Sequence, residues 1–297
     1  MAELIAEGTS AQDIGDRLRQ EDAVIAQFPQ GGPGLAVLSD GMGGHDDGDL
    51  ASRILVSEMF GEVFLAAARP EGDPSAAQKT FLGALDSANR RLQQHIGAGW
   101  ISDDTGGTLL TVTVTDGQLR WISVGDSPLY LCRGDKLHRL NEIHSMAMQL
   151  DLMVRNGAMD PAAARAHPHR HCLTSAVTGQ KIGRIDCPEE AVPLLPGDVI
   201  LLASDGLNVL DDGRIGALTR KARDKGCDAV ARALLAEVRR ENLPDQDNVS
   251  IVVIRMAEAR PAPGRVPPVP QTIGPGIAAL LRRLWPLGMS PAGKARL

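Results

Sequence analysis

The sequence predicts an α+β protein in which an antiparallel β core is covered by helices. Strand-like runs flank short turns at Asp116-Gly117 and at Gly134-Asp135, and turns of this kind join antiparallel strands. The short runs GDVILLASDG and NVSIVVIRM are rich in Val, Ile and Leu, which is typical of buried strands. Since hairpins require antiparallel pairing, and GMGGHDDG lacks the GxGxxG spacing, a doubly wound nucleotide-binding fold is disfavoured.

Three segments show helical patterns. Residues 49–68 are apolar nearly all round, which predicts a helix packed on a sheet. A second helix is expected to start at Asp73-Pro74, and its apolar residues recur at steps of three and four: Phe81, Leu85, Ala88, Leu92 and Ile96. The third helix has the same type of spacing at Ala229, Val230, Ala233, Leu234 and Val238.

Two stretches differ from this predicted core. Residues 141–179 form a polar, strand-poor insertion, with a short helix entered through Asp160 and Pro161. After Met256 the composition changes to a Pro/Gly-rich linker and tail. We therefore expect one domain over residues 1–257 and a disordered tail over 258–297; the alternative for IAALLRRLWPLG is a docking or membrane-surface helix.

Charge and composition exclude several classes of protein. The formal net charge of -6 disfavours a nucleic-acid-binding protein, which would need clustered Lys and Arg. The cysteines form no CxxC pair, which disfavours a zinc site and a disulfide framework: Cys132, Cys172, Cys187 and Cys227. The N-terminus lacks the layout of a secretory signal, and no apolar stretch approaches the length of a membrane span. We expect a cytoplasmic protein that neither crosses a membrane nor binds nucleic acid.

Acidic residues lie at the ends of the predicted strands: Asp40, Asp126, Asp205 and Asp247. Each alone would be an ordinary turn or capping residue. If the strands are neighbours, however, their ends converge and the carboxylates crowd one pocket. Crowded carboxylates repel each other unless cations neutralise them, and ligands that are all oxygen select hard ions such as Mg²⁺ or Mn²⁺.

A further charged cluster, GDRLRQEDAV, contains Arg17, Glu21 and Asp22, and by itself it would be a solvated strand edge. It is followed in order by SDGMGGHDDGDLAS, GGTLLTVTV, VGDSPLYL, HPHRHCLTSAVTG, LASDGL and DQDNVSIVV. From about Asp13 to Ile254 this series resembles the PPM family, the metal-dependent serine/threonine protein phosphatases of type 2C. DGMGGH is similar to the bacterial branch. The resemblance implies a four-layer α/β/β/α sandwich with two antiparallel sheets around a dinuclear metal centre, and a flap-like insertion at 141–179.

The resemblance also implies roles for individual residues. Asp40 would bridge two metal ions and Gly41 would offer its carbonyl to one of them. The remaining metal residues would be Glu21 (mainly through waters), Asp22, Asp205, Asp247 and, for a third and loosely held ion, Asp126. Arg17 would clamp the phosphate, which suits a planar guanidinium that can grip two oxygens. The residues expected to carry catalysis are Arg17, Asp40 and Asp205.

The activity that the resemblance implies is hydrolysis of phosphoserine and phosphothreonine by a water that bridges two Mn²⁺ or Mg²⁺ ions. Its partners would be phosphorylated proteins, the products of a serine/threonine kinase, and the chain would act as a monomer. A pseudophosphatase that binds phosphoproteins without cleaving them is the alternative, and a purely structural domain is a third possibility. Loss of Asp40, Asp205 or Asp247 would have indicated a pseudophosphatase, and all three are present.

Four positions depart from the family pattern. Met42 stands where eukaryotic members have His, so the proton for the leaving group is assigned to metal-bound water, with His45 as the weaker candidate. Val209 replaces an Asp linked to the third metal. Pro128 replaces an Arg of many relatives, and Ile143 replaces an acid before the His-Ser pair. None of these changes removes a core metal ligand.

Overall fold

The structure is a computed structural model that describes residues 4–29, 32–43, 47–67, 76–170 and 172–258. These residues belong to a compact unit that spans Met1–Ala259. Three expectations lie outside the described residues: the helix start at Asp73-Pro74, the candidate acid His45, and the tail beyond Glu258.

The described strands are, in chain order, β1 (Leu4–Asp13), β2 (Asp22–Gln27), β3 (Gly34–Met42), β4 (Gly106–Gly107), β5 (Leu109–Thr115), β6 (Gln118–Val124), β7 (Leu129–Arg133), β8 (Lys136–Arg139), β9 (Val192–Pro193), β10 (Val199–Ala203) and β11 (Val249–Glu258). The described helices are α1 (Gly48–Ala67), α2 (Ala76–Gly97), α3 (Met146–Arg155), α4 (Pro161–Arg165), α5 (Asp212–Ala222) and α6 (Cys227–Glu241). Among these helices, none is both long enough and apolar enough to cross a membrane.

The strands form two antiparallel sheets. The first has the order β1-β11-β10-β7-β8, and the second has the order β2-β3-β5-β6-β9, with β4 paired to β3. Both predicted hairpins are present, as β5–β6 and β7–β8. The β5–β6 turn places Asp116 at φ 52° and Gly117 at φ 69°. A two-residue turn with both φ angles positive matches the right-handed twist of the paired strands, which explains the Asp-Gly pair.

Three hydrophobic cores separate four layers. Between the sheets, residues such as Leu38 and Trp121 of the second sheet cluster with Leu202 and Val252 of the first. Helices α1 and α2 cover the outer face of the second sheet, and α5 and α6 cover the outer face of the first. The predicted α/β/β/α sandwich is therefore confirmed.

The three predicted helices are present as α1, α2 and α6, and the first, predicted over 49–68, runs from Gly48 to Ala67. In the insertion, α4 is entered as expected: the Asp160 carboxylate accepts hydrogen bonds from the N–H groups of Ala162 and Ala163, at 2.8 and 3.0 Å. Helix α3 was not predicted. The sequence does offer signals for it, since Ser145 precedes its first residue and Met146, Leu150 and Met153 lie four and three residues apart. In the structure the Ser145 side chain makes no capping hydrogen bond, and the buried residue of the helix is Leu150.

Candidate metal centre and phosphate site

Residues from both sheets line one cleft of about 770 Å³. Asp40 and Gly41 belong to β3, Asp126 follows β6, and Asp205 and Asp247 flank β10 and β11. The loop between β1 and β2 adds Arg17 and Glu21 to the lining. The cleft thus brings together strand ends that are distant in sequence, with the acidic residues that the motifs predicted and the guanidinium of Arg17.

The remaining predicted ligand, Asp22, is buried next to this cleft. Its Cα is paired with that of Asp40 in the β2–β3 register. The side chain is 5% exposed, and its Oδ2 accepts a hydrogen bond from the Ser204 hydroxyl at 2.7 Å. Its Oδ1 is buried without a hydrogen-bond partner. A buried carboxylate oxygen without a donor is costly, and a cation or a proton would satisfy it.

The electrostatics of the acids point to a cation. Burial, together with the charges of Asp22 and Asp205, raises the pKa of Asp40 well above its usual range. Burial and the charge of Asp205 raise the pKa of Asp126 to about 7. For Asp22, burial raises the pKa to about 6, although the Ser204 hydroxyl counteracts this. Raised pKa values show that the protein itself compensates the charge of these groups poorly, and positive charge placed close to them would favour the ionised forms.

The donor set fits hard divalent ions. The predicted ligands offer carboxylate and backbone oxygens, which are the ligands that Mg²⁺ and Mn²⁺ prefer. Within the described residues, no three His, Cys, Asp or Glu side chains are already arranged as a ligand cluster. Like charges that share a cleft repel one another, which accounts for carboxylates that converge without closing around a single point. The unpartnered Oδ1 of Asp22 and the raised pKa values nevertheless favour a metal centre here.

Gly41 lies where backbone segments approach each other too closely to leave room for a Cβ. A Cβ at this position would lie 2.0 Å from the carbonyl oxygen of Gly48 and 2.8 Å from that of Glu21. The Gly41 N–H donates to the Glu21 carbonyl at 3.1 Å. A glycine therefore lets the start of α1 and the residue before β2 pack against β3 beside Asp40. Its carbonyl as a metal ligand stays a prediction.

Arg17 lies among the carboxylates rather than on a solvated strand edge. Its guanidinium donates to Asp247 Oδ2 at 2.8 Å, and both side chains are about half exposed. The Asp40 backbone is also held in place, because its N–H donates to the Thr108 hydroxyl at 3.0 Å. That hydroxyl lies 2.9 Å from the Ser127 hydroxyl, beside Asp126.

Several residues of the cleft were not singled out from the sequence. The insertion supplies a wall that includes Cys172, Thr174, Ser175 and Thr178, and Asn248 lies beside Asp247. No local pattern distinguishes these residues, since small polar residues in a loop are common. Val209 packs against the hydrophobic core under α5 and α6 and is not part of the described cleft lining.

The fold and the acidic cleft define a metal-dependent hydrolase of the α/β/β/α type, and comparison with known proteins specifies the family. Residues 8–246 match the family model described as Protein phosphatase 2C. Protein phosphatase PhpP of Streptococcus pneumoniae is 30% identical over 203 residues, which cover 68% of this chain and 78% of that protein.

Solved structures agree with this match. The catalytic domain of serine threonine protein phosphatase PstP, in complex with two manganese ions, is 25% identical, with a TM-score of 0.68 over 86% of this chain and 99% of that one. The PPM Ser-Thr phosphatase MsPP from Mycobacterium smegmatis, in complex with cacodylate, is 28% identical, with a TM-score of 0.66 over 84% and 98%.

This chain belongs to the protein phosphatase 2C family. The predicted class, a metal-dependent serine/threonine protein phosphatase of the bacterial branch, is confirmed. No finding favours the pseudophosphatase alternative.

Proposed function

We propose that this chain hydrolyses phosphoserine and phosphothreonine in proteins at a dinuclear Mn²⁺ or Mg²⁺ centre. The residues that would hold the ions are Glu21, Asp22, Asp40, the Gly41 carbonyl, Asp205 and Asp247. The observation that carries the proposal is a set of carboxylates that share one cleft with an arginine, next to the buried Asp22, whose Oδ1 has no hydrogen-bond partner. Phosphoryl transfer needs mainly positioning and positive charge around the phosphoryl group.

The chain's own residues prepare the site. When bound, the two ions lower the pKa of a coordinated water and offset charge on the phosphoryl oxygens. Arg17 offers two parallel N–H groups to those oxygens, and Asp247 orients its guanidinium at 2.8 Å. Thr108 holds the backbone of Asp40 by a hydrogen bond at 3.0 Å. Pre-positioned groups of this kind need no reorganisation during the reaction.

A weak third metal at Asp126 is part of the proposal. Asp126 is 8% exposed, and its pKa of about 7 shows that its charge is poorly compensated by the protein. Val209 can neither ligate an ion nor hold a metal-bound water, and it packs into the core. Since the number of charged ligands tunes the affinity for hard cations, a third ion would bind more weakly than the first two.

The partners and setting follow from the same activity. The substrates would be phosphoproteins made by a serine/threonine kinase, and the enzyme would act as a monomer in the cytoplasm. In support, all four cysteines are free thiols, which suits a reducing compartment. The catalytic domain would end near residue 257, where the Pro/Gly-rich tail begins; β11 runs to Glu258.

The test is turnover of a phosphopeptide with Mn²⁺ and after treatment with EDTA. We expect activity that depends on added metal, and loss of that activity in Asp205→Asn with the fold retained. The control is Asp116→Asn, a change at an exposed turn residue that is not part of the cleft lining. Stoichiometric binding of the phosphopeptide without release of phosphate would instead show a binding protein.

A further inference from the structure

We infer that Asn248 is the positioning residue that holds the phosphate-binding arginine over the cleft. Arg17 and Glu21 belong to the loop that joins β1 to β2, residues 14–21, named here the arginine loop. The inference rests on the proposed role of Arg17, and it identifies the side chain that places this arginine.

The side chain of Asn248 joins both ends of the arginine loop. Its Nδ2 donates to the carbonyl oxygens of Ile14 and Arg19, at 2.8 and 3.0 Å. Its Oδ1 accepts from the N–H of Glu21 at 2.7 Å. Two carbonyls need donors and one N–H needs an acceptor, so one orientation of the amide satisfies all three. Asn248 is 4% exposed, which makes these bonds costly to lose.

At the tip of the arginine loop, the Arg17 guanidinium donates to Asp247 Oδ2 at 2.8 Å. Leu18 is 99% exposed, so it contributes no packing. The backbone N–H of Arg17 makes a long hydrogen bond to the Ile14 carbonyl, at 3.4 Å. The position of Arg17 therefore depends on its ion pair with Asp247 and on how the two ends of the loop are held.

The start of the loop is fitted to the chain segment that precedes Asn248. The N–H of Asp16 donates to the Gln246 carbonyl at 2.8 Å. Gly15 has φ 60°, and a Cβ there would lie 2.4 Å from the carbonyl oxygens of Gln246 and Asp247. The arginine loop thus lies directly against the segment that carries Asp247, and the hydrogen bonds of the Asn248 amide hold it in that position. An error of about 1 Å in the position of a phosphate-binding group costs on the order of 100-fold in rate.

The test measures inhibition by inorganic phosphate in Asn248→Ala, Arg17→Ala and the double variant, at saturating Mn²⁺. We expect each single change to raise the Ki of phosphate and the KM for a phosphopeptide by about tenfold or more. The double variant should have the Ki of Arg17→Ala alone, because both changes remove the same interaction.

Asn141→Ala is the matched control. Asn141 is 6% exposed, and its amide also makes three hydrogen bonds: with the N–H of Leu129 at 2.8 Å, the Ser123 hydroxyl at 3.2 Å and the Ser127 carbonyl at 3.0 Å. Its loss should lower the Tm as much as Asn248→Ala does, while the Ki of phosphate stays at the wild-type value. A general effect of destabilisation would raise both Ki values together.

The outcomes separate the two proposals. An unchanged phosphate Ki in Arg17→Ala would refute the arginine clamp itself. A raised Ki in Arg17→Ala together with a wild-type Ki in Asn248→Ala would refute the role of Asn248, as would losses that multiply in the double variant. If Asn248→Ala is unfolded at the assay temperature, Asn248→Ser is measured by the same criteria in the cold, where a wild-type Ki would also overturn the inference.

Discussion

Replacing Gly41 by alanine tests the close backbone approach beside Asp40. The new Cβ would lie 2.0 Å from the Gly48 carbonyl oxygen, 2.5 Å from its carbon and 2.8 Å from the Glu21 oxygen. Ordinary contacts of a Cβ begin at 3.4 Å, and these neighbours are all backbone atoms that cannot rotate away. The start of α1 must therefore move by roughly 1 Å or more, an overpacking that typically costs about 1–3 kcal/mol.

The loss should be visible in both stability and activity. The displaced backbone also weakens the hydrogen bond from the Gly41 N–H to Glu21, worth about 1 kcal/mol. At about 2–4 °C per kcal/mol for a domain of this size, the Tm should fall by roughly 10 °C. Since Glu21, Asp40 and the start of α1 move apart, turnover of a phosphopeptide should fall by about 100-fold or more.

Gly61→Ala is the control within the same helix. A Cβ at Gly61 meets nothing within 4 Å, and the residue lies inside α1. Alanine there should raise the free energy of unfolding by about 0.5–1 kcal/mol through helix propensity and leave turnover unchanged. The measurements are the Tm by calorimetry and the rate of phosphopeptide turnover, for both variants and the wild-type protein. A Gly41→Ala enzyme with wild-type Tm and kcat would refute the reasoning.

Three further outcomes are expected. Asp126→Asn should raise the Tm of EDTA-treated protein at pH 7.5 and reduce the increase in Tm that Mn²⁺ produces. The raised pKa of Asp126, about 7, means that its ionisation destabilises the metal-free fold increasingly from about pH 4 to pH 7, by about 4 kcal/mol at most. Superimposable melting curves of the two proteins in EDTA would contradict this. Arg239→Gln should lower the Tm more at pH 7 than at pH 3, because the hydrogen bond from Arg239 lowers the pKa of Asp13. The stabilisation is present above the usual carboxyl pKa and is lost as the pH falls through the lowered one, so an equal Tm difference at both pH values would argue against the pair. Removal of residues 259–297 should leave turnover of a small phosphoester intact, because β11 ends at Glu258 and every predicted site residue precedes it; a large loss of activity would show that the tail is needed.

The sequence by itself determined the local elements and the chemistry of the site. Apolar residues three and four apart predicted α2 and α6, and a stretch that is apolar nearly all round predicted α1, since both patterns depend on neighbours along the chain. The Asp116-Gly117 pair predicted the β5–β6 hairpin because the turn needs two positive φ angles. Acids at successive strand ends, each beside Gly or Asn, indicated a centre for hard cations before any contact was known.

Tertiary structure alone decided which of these residues are buried and what holds them in place. The sequence placed Arg17, Glu21 and Asp22 on a solvated edge when taken alone; the fold buries Asp22 and brings Arg17 to the cleft. Ser145 and the spacing of Met146, Leu150 and Met153 could have indicated helix α3, but which of its residues are buried depends on the insertion around it. Asn248 bonds to Glu21 across 227 positions, and a contact at that separation has no local signal. Burial and hydrogen-bond partners are properties of residues that folding brings together, so only the folded chain reveals them.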